Sequence, residues 1–174
     1  VWHEGDEDAT AKVLFSKFDG TSWSAPIRID SVPNGKAAVW ASVDIKGNNA
    51  FVTWRDNRDG NFTVWMRRST DGGATWFSEQ HMATKMSGDP VVCAPGNGHV
   101  WVAHHGTGKI SLLHSTDNGA SFGQSVEVGR GYFAHLNCRS SFVVVGWEDI
   151  IGRHTDPNKK AGYAIYTSEG VKIT

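Results

Sequence analysis

The chain has 174 residues, with 17 Lys and Arg against 18 Asp and Glu for a net charge of −1. That length suits one domain, and the charge balance argues against a dedicated nucleic-acid surface or a polybasic membrane face. Apolar residues make up 39%, with eight Trp and eight Phe, too large an apolar load for a disordered chain, and no window approaches the roughly 18 continuous apolar residues of a membrane-spanning helix. The chain opens as Val1-Trp2-His3-Glu4, with neither an initiator Met nor a leader pattern. The expectation is a removed leader or a piece of a longer polypeptide.

Helical periodicity is nearly missing, and strand signals recur along the chain. The predicted strands run Val39 to Ile45, Ala50 to Trp54, Phe62 to Met66, Pro90 to Ala94, His99 to Ala103, Ile110 to Leu113, Phe142 to Trp147 and Gly162 to Tyr166. Gly-Asn clusters such as Lys46-Gly47-Asn48-Asn49 and Pro95-Gly96-Asn97-Gly98 separate them. Val143-Val144-Val145 lacks alternation, which predicts a strand covered on both faces. The fold class is all-β. Cys93 and Cys138 fit either one disulfide or two buried thiols, and the thiol reading is preferred. Both cysteines fall near the ends of equivalent strands, so a bridge is conceivable.

An internal repeat organises these strands. Ser69-Thr70-Asp71-Gly72-Gly73-Ala74-Thr75-Trp76 recurs as Ser115-Thr116-Asp117-Asn118-Gly119-Ala120-Ser121-Phe122, 46 residues later. A weaker copy, Ser16-Lys17-Phe18-Asp19-Gly20-Thr21-Ser22-Trp23, lies 53 residues before the first. A period near 50 with several strands per period reads as β-propeller blades of four antiparallel strands. About three and a half blades are expected: a partial blade over 1–30, blades over 37–83 and 89–128, and a partial blade over 132–174. A ring completed by a longer chain or by a second copy follows as an expectation.

The two good copies fit S-x-D-x-G-x-[ST]-[WF] and resemble the Asp-box, or BNR repeat, of sialidases and other secreted β-propellers. Trp54-Arg55-Asp56-Asn57-Arg58-Asp59-Gly60, ahead of the box, is similar to a typical blade of such proteins. The box residues Ser69, Asp71, Gly73, Trp76, Ser115, Asp117, Gly119 and Phe122 are therefore expected to be structural. Asp71 and Asp117 bond backbone N–H groups in the turn, and the glycines supply positive φ. The resemblance implies that these turns lie away from the substrate face and that the protein is secreted or at the cell surface.

Antiparallel order then puts the ends of the second strands on the opposite, functional face. Those ends are His3-Glu4-Gly5, Trp54-Arg55-Asp56, His104-His105-Gly106 and Trp147-Glu148-Asp149. Nearby loops add Arg58, Asp59, Arg153, His154 and Asp156, with Lys36, Asp89, Arg130 and Tyr132 from the connections between blades. The chosen ligand-binding candidates are Arg55, Asp56, Arg58, His104, Tyr132, Glu148 and Asp149. Trp54 and Trp147 are expected to pack between blades. Adjacent His104 and His105 point to opposite strand faces and cannot readily chelate one ion, so no metal and no cofactor is assigned.

The expected function is recognition of a glycan or another surface polymer, by hydrogen bonds from Arg and carboxylates and by aromatic stacking. Two other readings are a sialidase-like exo-glycosidase and a structural subunit of a surface assembly. The resemblance implies for a sialidase three arginines, a Tyr–Glu pair and an Asp. Arg55, Arg130, Arg139, Arg153, Tyr132, Tyr163 and Glu148 are the available groups. The early Arg-Ile-Pro signature is absent, so no catalytic residue is assigned. Asn61-Phe62-Thr63 is a formal glycosylation sequon.

Overall fold

The computed structural model describes residues 1–7, 9–83, 87–149 and 160–174, with the backbone alone at 149 and 160. Fourteen strands form four antiparallel sheets, and among the described residues there is no helix. The first sheet contains β1 (Trp2–Glu4), β2 (Lys12–Phe15) and β3 (Ile27–Arg28). The second contains β4 (Ala38–Lys46), β5 (Asn49–Asp56), β6 (Thr63–Ser69) and β7 (Gln80–Ala83). The third contains β8 (Gly88–Gly96), β9 (His99–Gly106), β10 (Lys109–Ser115) and β11 (Val126–Arg130). The fourth contains β12 (Tyr132–Cys138), β13 (Phe142–Asp149) and β14 (Lys160–Thr167), with Lys172 bridging back to Tyr166.

The core lies between neighbouring sheets. Val13, Phe15 and Ile29 of the first sheet region pack on Val52 and Trp54 of the second. Phe51 and Met66 of the second pack on Val92, Val100, Val102 and Leu113 of the third. Trp101, Ala103, Ile110 and Leu112 of the third pack on Val143, Val145, Trp147 and Tyr166 of the fourth. In β9, Val100 and Val102 thus face one neighbour while Trp101 and Ala103 face the other, as period-two alternation requires. This two-sided burial explains the continuous apolar runs of the middle strands. Val143-Val144-Val145 departs from the expectation: Val143 and Val145 are fully buried, but Val144 lies half-buried on the other face.

The first strand of each full blade lies innermost, and β8 packs against both β4 and β12. Val92 N donates to Ser42 Oγ at 3.3 Å, and Ala94 N donates to Asp44 Oδ2 at 2.7 Å, tying β8 to β4. Cys93 and Cys138 tie β8 to β12 as a disulfide with a Cα–Cα distance of 5.9 Å. The preferred thiol reading is therefore corrected. Equivalent inner strands run side by side, bringing two residues 45 apart within bridging reach. Closing a loop of that length stabilises the fold by about 4 kcal/mol in the chain-entropy view.

Candidate functional site

The repeated turns mark one end of the molecule. Ser69 Oγ donates to Asp71 Oδ1 at 2.7 Å and accepts from Gly73 N at 2.9 Å, while Thr75 N donates to Asp71 Oδ1 at 2.9 Å. Ser115, Asp117, Gly119 and Ser121 repeat those bonds at 2.7, 2.9 and 2.9 Å. These donors hold both carboxyls well below the usual carboxylate range, the Thr75 and Ser121 hydroxyl bonds contributing most. Each box glycine also leaves room for the preceding sheet. A Cβ at Gly73 would meet the Phe15 ring at 2.7 Å, and one at Gly119 would meet Phe51 at 3.2 Å. Trp76 closes its turn by donating Nε1–H to the Gly73 carbonyl and meets Phe15 edge-on, and Phe122 packs on the core between sheets two and three. The weaker copy forms a different turn, in which Thr21 N and Ser22 N donate to Asp19.

Gly72 N bonds Asn48 O and Asn118 N bonds Gly98 O, so the box turns and the hairpins joining first and second strands share one end. The other end is the mouth. There each inner strand carries a bulge at the same register. Val39 pairs Arg55 and Ser42 pairs Thr53; Gly88 pairs His105 and Val91 pairs Ala103; Tyr132 pairs Glu148 and His135 pairs Gly146. In all three cases two residues oppose one. The first extra residue is Trp40, Asp89 or Phe133, with φ of 56°, 21° and 52°. Positive φ is costly for residues other than Gly, and bulges re-aim side chains beside functional sites.

These three side chains line one cavity of about 380 Å³, together with Pro90, Ala134 and His135. That size falls in the range of small-molecule clefts, roughly 300–1,000 Å³. Trp40 and Phe133 stay 46% and 39% exposed despite their size. Arg55 Nη1 pairs with Asp89 Oδ1 at 3.3 Å, and its guanidinium sits 4.7 Å from the Phe62 ring centroid and 5.9 Å from that of Trp40. His105 meets Tyr132 and Phe133 edge-on at 5.1 and 5.9 Å. It occupies the space above Gly88, where any Cβ would collide with its ring. Burial pushes the His105 imidazole pKa down, the Asp89 charge opposing this and the Arg55 charge adding to it. Arg55 Nε, Asp89 Oδ1 and His105 Nδ1 are buried polar atoms without a hydrogen bond. Three of the six such atoms among the described residues meet in this one cluster, where Asp89 Oδ1 keeps only its ion pair to Arg55.

The sequence-derived candidates separate into two groups. Arg55 and Tyr132 stand at the mouth, and Glu148 is exposed opposite Tyr132. Asp56 is fully buried, accepting from Trp54 Nε1 at 2.8 Å and from Arg58 Nη2 at 2.7 Å. Arg58 also donates to Glu79 at 2.6 Å and stacks on Trp65 at 3.9 Å, so the pair braces the blade. His104 is buried, its Nδ1 3.4 Å from the His105 carbonyl oxygen, and burial lowers its pKa. Its register matches Trp54 and Trp147, whereas His105 matches Arg55 and Glu148. The Asp149 side chain, Arg153, His154 and Asp156 lie outside the described residues. Asp89 and His105 belong to the face expected from the sequence but not to the chosen candidates, and Trp40 and Phe133 are new. Counting the four strand ends in register assigns His105 to the mouth position, but the inner-strand bulges leave no sequence signal.

No family model and no curated protein matches the chain. Among solved structures it is similar to "YCF48 bound to D1 peptide", a β-propeller, with a TM-score of 0.54 and 20% identity over 91% of this chain and 44% of that one. The fold is a β-propeller. A catalytic domain of Coprinopsis cinerea GH62 α-L-arabinofuranosidase aligns at a TM-score of 0.47 and 13% identity, over 76% of this chain and 46% of that domain. The chain thus spans less than half the length of either structure.

Proposed function

We propose that this is an Asp-box β-propeller module of the sialidase-like superfamily that recognises a glycan or surface polymer at its mouth. The observation that carries the reading is the threefold bulge. It holds Trp40 and Phe133 exposed on either side of Asp89, at a backbone cost that packing alone does not require. Aromatic faces suit the C–H faces of a sugar ring, and the adjacent Asp89 and Arg55 supply an acceptor and a donor for hydroxyls. The disulfide supports a secreted or cell-surface location, because such bonds persist in oxidising compartments. Further blades of a longer chain, or a second copy, complete the ring around this mouth.

The sialidase-like alternative finds less support. Arg139 lines a cavity with Lys46 and Cys138 near the box-turn end, and Tyr163 is largely exposed on β14. No described arginine lines the mouth cavity, and Arg55 beside it is paired with Asp89. Calorimetric titration of the chain with an oligosaccharide library tests the proposal. Binding by the parent and its loss in Trp40→Ala, with Arg139→Ala unaffected, is the expected result. Equal binding by the parent and Trp40→Ala would remove the mouth from consideration.

A further inference from the structure

The mouth cavity has a charge pattern that narrows its ligand, on the premise that it binds a glycan at all. Among the described residues Asp89 is the one carboxylate lining it, and none of those lining residues is Arg or Lys. The neighbouring cation, Arg55, already has its charge offset by Asp89 at 3.3 Å, while its side chain stays 26% exposed beside the Phe62 and Trp40 rings. Lys109, near the same end, is paired with Glu127 at 2.6 Å. An acidic sugar entering between Trp40 and Phe133 would therefore approach the Asp89 carboxylate with no Arg or Lys among the described lining residues to receive it. A cationic amino sugar would compete with Arg55 for the same carboxylate. A neutral sugar meets neither penalty.

We infer that the mouth takes a neutral sugar ring, stacked between Trp40 and Phe133, with adjacent hydroxyls shared by Asp89 and Arg55. The carboxylate accepts from one hydroxyl while the guanidinium donates to its neighbour, so the ion pair serves as a hydroxyl-pair reader. Its net charge near zero leaves little long-range attraction for salt to screen. His105, held neutral by burial, adds no compensating cation. Acidic and amino sugars are thus selected against by charge, and the aromatic rings set the stacking distance.

Three probe sets measured by calorimetry on the 174-residue chain test this: neutral xylo- and cello-oligosaccharides, acidic sialyllactose and oligogalacturonates, and cationic chitosan oligomers. The expected result is binding of a neutral probe that changes less than about twofold between 0.05 and 0.5 M NaCl. Asp89→Asn keeps a side chain that tolerates positive φ, so it should fold, and it should weaken that probe at least tenfold. Phe133→Asn serves as a second folded variant and should do the same. Binding of acidic or cationic probes alone would overturn the neutral-sugar assignment and leave the glycan reading standing. Binding of no probe, by a chain with native circular dichroism, would overturn both.

Discussion

Asp71 and Asp117 remain charged to low pH because each accepts from a backbone N–H and from two hydroxyls in its turn. A carboxylate whose folded pKa lies below its unfolded value adds stability above about pH 4 and loses it as pH falls through the depressed value. Asp71→Asn with Asp117→Asn should therefore lower the unfolding midpoint at pH 7 and flatten its fall below pH 4. Thermal melts between pH 2 and 7 check this. A midpoint falling as steeply in the double variant as in the parent would assign the acid loss to other groups. At this scale the sequence was informative wherever a side chain answers to its own turn. Ser69, Asp71, Gly73 and Trp76 occupy the expected positions because their bonds lie within eight residues. Asp56 and Arg58 are candidates by their place at a strand end and its loop, which does not reveal that a Trp54 donor and a Glu79 partner tie them into the blade.

At the scale of the strand, the middle members of each blade were legible because burial on both sides writes long apolar runs, as in Ala50 to Trp54 and His99 to Ala103. The fourth strands Gln80–Ala83 and Val126–Arg130 have no counterpart among the expected strands. They lie at sheet edges, have no fully buried residue, and carry little apolar pattern. The inner-strand bulges were hidden for a different reason: one extra residue shifts the alternation and makes Trp40 and Phe133 resemble core positions. If the bulge stores strain for binding, glycine should release it. Trp40→Gly should fold at least as stably as the parent, by up to about 1 kcal/mol, while losing ligand binding. Urea unfolding of parent and variant checks the stability arm. A loss of more than about 1 kcal/mol would mean that the exposed Trp40 ring holds the blade together and that its φ is not a reservoir.

At the scale of the molecule, contacts pass from sheet to sheet in chain order, with a separate apolar cluster at each junction. Large side chains also lie exposed on the first and fourth sheets: Trp2 and Ile27 on one, Phe142 and Tyr163 on the other. Surfaces of this kind favour association, and completion of the ring by another copy should appear as a concentration-dependent mass. Light scattering over a tenfold dilution reads it directly. A constant monomer mass would leave further blades of a longer chain as the means of completion.

The central claim is that the bulged inner strands form a ligand mouth, and a crystal structure of the chain soaked with a bound oligosaccharide tests it most directly. The account predicts a sugar ring between Trp40 and Phe133, with hydroxyls on Asp89 and Arg55. A ring seated instead beside Lys46 and Arg139 at the box-turn end would contradict it.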